Sequence, residues 1–174
     1  PAAGTAEERI NNVEVSLVLD LSGSMNSYGR LDNLKAAGRD FVDTLLGDSE
    51  EDTISISMVP YTGQVNAGET LLSEYNVQYA QDFSHCVDFS AGEYTTTALP
   101  PGNGVLGAGH GFAFATPEYS YYDSSDPTPD FYNCPIPPEN AGLDIMPFQR
   151  DADYIKGRIN AMEALGATSI DIGM

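Results

Sequence analysis

Residues 13 to 25 read Val-Glu-Val-Ser-Leu-Val-Leu-Asp-Leu-Ser-Gly-Ser-Met. The apolar run is too short for a typical helix and rich in β-branched and aliphatic residues, so it predicts a buried strand. The strand ends in a carboxylate, Asp20. Two hydroxyls follow at alternate positions, Ser22 and Ser24, with Gly23 between them. Loops at the carboxyl ends of strands are where open α/β sheets place their ligands. One carboxylate and two neutral hydroxyls are all oxygen donors. Such a set suits a hard cation, Mg²⁺ in particular, which keeps waters and leaves a position for an outside group. Gly23 allows the loop to fold back tightly enough for both hydroxyls to face one point. The same residue types also build an ordinary serine-rich turn or a helix cap.

Regular elements are predicted on either side of this loop. From Arg30 to Leu46, Leu31, Leu34, Ala37, Phe41 and Leu45 recur at spacings of three and four, which is one face of a helix. Gly47 is a C-terminal stop. Gly38, in the middle, is a mild cost or a close-packing position against the sheet. Ile54 to Pro60 reads as the next strand, with Ile54, Ile56 and Met58 on one face and serines on the other. Strand, helix and strand in this order make a right-handed βαβ unit, or, with a hairpin, a mixed sheet. Asp151 to Leu165 predicts a further helix, with Asp151 as N-cap or first-turn acid and Gly166 as terminator.

Asp20-Leu21-Ser22-Gly23-Ser24 matches the Asp-x-Ser-x-Ser signature of von Willebrand factor type A domains, which the chain resembles. The preceding strand and Met25 fit the bacterial form. In that family these residues open the metal-ion-dependent adhesion site. Gly166-Ala167-Thr168, followed by Gly173-Met174, resembles a second family segment, whose Thr supplies a further ligand. Thr168 falls on that position; it could also cap the next helix. The resemblance thus implies a metal set of Asp20, Ser22, Ser24 and Thr168, binding Mg²⁺ or alternatively Mn²⁺ or Ca²⁺. It implies an α/β fold with a doubly wound, mostly parallel, Rossmann-like sheet. It also implies a protein partner whose Asp or Glu carboxylate fills the open position. Ile56-Ser57-Met58-Val59-Pro60-Tyr61-Thr62-Gly63-Gln64-Val65-Asn66 resembles a segment of bacterial tight-adherence (Flp-type) pilus-assembly proteins. That likeness implies an extracytoplasmic location and a membrane anchor outside this chain.

The recognised pieces divide the chain. Residues 1–12 read as a linker, 13–66 as the first part of the domain, 67–149 as a loop-rich insertion and 150–174 as its continuation. The family's later Asp-bearing strand has no counterpart here, so a truncated domain is expected. Its first strand would then keep an open edge prone to association. The insertion holds nine of the eleven prolines, which argues for loops and short strands over helices. Its aromatics argue against pure disorder. It also holds both cysteines, Cys86 and Cys134. An even count in a proline-rich segment suggests a disulfide and an oxidising compartment, with two buried free thiols as the alternative. A zinc site from His85, Cys86, His110 and Cys134 matches no zinc spacing.

The charge limits the partners. Seven basic against twenty-six acidic residues give a net charge of −19. Backbone binding to nucleic acid needs a basic surface, so nucleic acid is not an expected partner, nor is an anionic membrane. Catalysis is not expected either. A serine nucleophile would need a base, and neither His85 nor His110 lies in a motif that provides one. A domain with a vestigial metal loop is the remaining alternative.

Overall fold

The computed structural model describes residues 12–47, 53–75, 85–88, 113–114, 143–166, 168 and 170–173. Among them run β1 (Val13–Asp20), a single 3₁₀ turn (Gly23–Asn26), α1 (Arg30–Gly47), β2 (Ile54–Tyr61), β3 (Val65–Asn66) and α2 (Gly68–Leu72). There follow β4 (Cys86–Asp88), β5 (Ala113–Phe114), β6 (Met146–Gln149), α3 (Ala152–Asn160) and α4 (Ile170–Gly173). The architecture is α/β.

The sheet is mixed, and β2 is its hub. β1 runs parallel to β2 in unbroken register from Val13 opposite Ile54 to Asp20 opposite Tyr61. The remaining ladders are short and antiparallel: β2 with β3 and β6, β3 with β4, and β4 with β5. The parallel pair therefore supplies the longest ladder, and antiparallel strands extend the sheet from it. Among the described residues, β1 stands at an edge of the sheet.

Alternation along β2 divides the core. Ile56 and Met58 are fully buried on one face, beneath Val42 of α1 and Ile155 and Ile159 of α3. Full burial of each such side chain contributes roughly 1.5–3 kcal/mol. Val59 and Tyr61 point the other way and pack with Val65, Val87 and Leu72 of α2. Helices thus lie on both faces. Ser55 and Ser57 on this second face are also buried. Ser57 meets Ser16 of β1 hydroxyl to hydroxyl at 2.7 Å, a cross-strand pair that satisfies both groups.

Several expectations need correction. Phe41 and Ala37 do not lie on the inner face of α1. Phe41 is 40% exposed, and Val42 is buried in its place. Gly38 is a close-packing position, but its neighbour is Ile159 of α3, not the sheet: a Cβ there would sit 3.3 Å from Ile159 Cδ1. Gly47 is the last residue of α1, not the residue beyond it. α3 ends at Asn160, and the chain turns before Gly166, whose φ of +72° is left-handed. Met162 is fully buried although it follows the helix. Asp151 is the N-cap, accepting the Tyr154 N–H at 3.0 Å.

Polar contacts lock α1 to α3. Lys35 Nζ donates to the Asn160 carbonyl at the end of α3, Arg39 donates to Asn160 Oδ1, and Lys156 pairs with Asp43 at 2.7 Å. A lysine at a helix C-terminus satisfies an orphan carbonyl and suits the dipole. The linker, apart from Asn12, lies outside the described residues. So does Cys134, and with it the disulfide. From the stretch read as an insertion, α2, β4, β5 and β6 are described. β6 pairs antiparallel with β2.

Candidate metal-binding site

The Asp20 loop is built by the register of two strands. Asp20 and Tyr61 end β1 and β2 side by side. The Leu21 N–H then donates to the Tyr61 carbonyl at 2.8 Å, extending the pairing one step. Beyond it the chain turns on itself. The Ser22 N–H donates to Asp20 Oδ1 at 2.7 Å, which closes a side-chain turn of the kind Asp favours. Met25 N–H reaches back to the Ser22 carbonyl and opens the 3₁₀ turn.

This folding brings the hydroxyls together. Ser22 Oγ and Ser24 Oγ lie 3.2 Å apart, within hydrogen-bond reach. Ser22 is buried, Asp20 half-buried and Ser24 exposed, so the cluster faces outward through Ser24. Burial pushes the Tyr61 phenol above the usual tyrosine range, and the Asp20 carboxylate beside it pushes in the same direction. The two strand ends therefore share one electrostatic environment.

A distant segment is stitched to this loop. Gly23 N–H donates to the Gly166 carbonyl at 2.9 Å, and Leu165 N–H donates to the Leu21 carbonyl at 2.8 Å. Asn26 Nδ2 donates to the Ala164 carbonyl at 3.0 Å. Gly166 is buried, and its left-handed backbone sends the chain on past the stitch. Thr168 follows two residues later and is exposed. α4 begins at Ile170, beyond Thr168, and packs against β1 and β2. Asp20, Ser22 and Ser24 are thus assembled on one loop, and Thr168 follows two residues after Gly166, which is stitched to that loop.

The donor chemistry fits a hard cation. Two hydroxyl oxygens converge beside one carboxylate, and none of the three is a soft or nitrogen ligand. Among the described residues no three His, Cys, Asp or Glu side chains form a cluster. From the described residues, a centre at this loop would draw on the two hydroxyls beside the single Asp20 carboxylate.

The rim of the loop has features that the motif alone did not reveal. Tyr28 has φ of +59°, the one left-handed non-glycine among the described residues, and is 90% exposed. The Arg30 guanidinium sits 5.4 Å from its ring centroid, a cation–π distance. Arg30 also donates to the Ser24 carbonyl at 3.3 Å. Asn26, Tyr61 and Gly173 belong to the site's framework as well. Asn26 and Gly173 lie in or beside the recognised segments, but nothing in their identity announces a contact so distant in sequence.

No protein-family model and no curated protein sequence matches this chain. No helix among the described residues is long and apolar enough to cross a membrane.

Proposed function

We propose that this chain is a metal-ion-dependent protein-binding module with a doubly wound fold of the von Willebrand factor type A kind. Asp20, Ser22, Ser24 and Thr168 would hold Mg²⁺, or Mn²⁺ or Ca²⁺ in its place. The cation would then recognise an Asp or Glu carboxylate of a protein partner. A hard anionic oxygen is needed to complete such a shell, and a neutral surface cannot substitute. The reading extends to an extracytoplasmic bacterial protein acting in pilus assembly or surface adhesion, with its membrane anchor outside this chain.

The observation that carries the proposal is the convergence of Ser22 Oγ and Ser24 Oγ at 3.2 Å, on a loop that Asp20 Oδ1 closes. The stitch from Gly23 to Gly166 supports adding Thr168. One feature favours a second reading, a structural domain with a vestigial loop. The Asp20 carboxylate and both serine hydroxyls already have hydrogen-bond partners inside the loop itself.

Isothermal titration of Mg²⁺ and Mn²⁺ into the wild type and Asp20→Ala separates the two. Loss of the one carboxylate should weaken binding by more than about 100-fold, beyond the usual cost of losing an outer-shell partner. Equal affinity in both proteins would leave only the structural reading.

A further inference from the structure

The segment that carries Thr168 is fixed at two points. The first is the stitch, where Leu165 and Gly166 bond to Leu21 and Gly23. The second is a steric contact at the end of α4. Gly173 is buried against the ring of Tyr61. A Cβ on Gly173 would lie 2.5 Å from Tyr61 Cδ1 and 2.6 Å from Cγ. Real side chains do not approach that closely, so α4 reaches the sheet at this depth only because residue 173 has no side chain.

Tyr61 is a rigid surface for that contact. It is 4% exposed, ends β2 beside Asp20 and accepts the Leu21 N–H through its carbonyl. Its ring is therefore tied to the same strand ends that launch the Asp20 loop. Thr168 lies between the two fixed points, beyond Gly166 and before Gly173.

We propose that Tyr61 and Gly173 set the position of Thr168 relative to Asp20, Ser22 and Ser24, with Tyr61 acting as a positioning residue for the metal site. This rests on the metal-binding reading above. The ring sets the depth of α4, and the depth of α4 sets where the Thr168 hydroxyl stands. Tyr61 touches no ligand atom in this role; it acts through the backbone of the segment it supports.

The test is a double-mutant cycle on the full 174-residue chain, with Mn²⁺ affinity read by isothermal titration. Gly173→Ala should weaken Mn²⁺ binding about tenfold, in the middle of the range for coupled neighbours. In a Thr168→Val background the same substitution should change affinity less than about twofold, because the group it displaces is already gone. Equal losses in both backgrounds, or no loss in either, overturn the positioning role. Asp20→Ala with wild-type affinity overturns the site itself, and the proposal with it. Persistent Asp20 dependence with background-independent losses overturns the positioning role alone. Should Gly173→Ala not fold, Tyr61→Leu removes the ring without adding an atom at the contact. It is then carried through the same cycle with the same two outcomes.

Discussion

Gly38 of α1 lies against Ile159 of α3 so closely that a Cβ would stand 3.3 Å from Ile159 Cδ1. Ile159 is 1% exposed and belongs to the main core cluster, so its side chain has little freedom to yield. A glycine in mid-helix forfeits about 1 kcal/mol relative to alanine. Here it allows two helices to approach over the sheet. Gly38→Val should therefore destabilise the fold by about 1–3 kcal/mol, the usual cost of overpacking. Urea denaturation checks this: an unchanged midpoint would mean that the two helices are loosely packed.

Tyr28 makes the opposite case. Its left-handed backbone costs roughly 1–2 kcal/mol for a residue with a Cβ, and its ring is almost wholly exposed. Tyr28→Gly should relieve that strain, losing only the contact with Arg30. The melting temperature is expected to rise by about 2–4 °C per kcal/mol gained in a chain of this size. A fall in melting temperature would show that the Arg30 contact outweighs the strain.

Alkaline stability should depend on Tyr61. Its phenol is held above the ordinary value by burial and by Asp20. For such a raised group, the contribution to stability is complete below the unfolded value, about 10. It is lost as pH rises through the folded value, because the unfolded chain releases its proton first. Tyr61→Phe should flatten the fall in stability above about pH 10, as read by denaturation at stepped pH. An identical alkaline profile in both proteins would remove Tyr61 as the source.

The β1 edge invites association. Val13 and Val18 are exposed along it, and no strand pairs with its outer side among the described residues. A long apolar edge is a template for strand pairing, and a lysine on it is a common deterrent. Residues 1–174 should self-associate in sedimentation velocity, and Val18→Lys should shift the distribution toward monomer. A monomer at every concentration tested would show that the edge is covered.

The parts legible in the sequence were those where one physical signal dominates. The run from Val13 to Asp20 has few ways to fold, and it forms a strand with the serine loop after it. That strand is half-exposed at the sheet edge and not buried as expected, because no strand covers its outer side among the described residues. The acid of Asp151 before an apolar period marks a helix start, and it caps α3. The missed features depend on what lies opposite. Phe41 and Val42 are adjacent apolar residues, and periodicity alone placed the larger one inward; the approach of α3 at Gly38 selects Val42. The length of α3 was overread because Met162 is apolar and in phase, yet it is buried from a turn. In the site, Asp20, Ser22 and Ser24 are local to one loop, and their convergence follows from residue type and spacing. The contacts of Asn26 with Ala164 and of Tyr61 with Gly173 belong to chain crossings that no local pattern encodes.

The bond from Asn26 to Ala164 joins residues 138 apart in sequence. During synthesis the Asp20 loop emerges long before its stitching partner exists. Closing so large a loop costs only slightly more than closing a short one, since the entropy grows with the logarithm of length. It is nevertheless slow, because non-local contacts must be found before they reward the chain. The stitched form of the Asp20 loop is therefore a late product of folding. Until residues 164–166 have been made and docked, the Asp20 loop lacks three of the bonds that hold its final form.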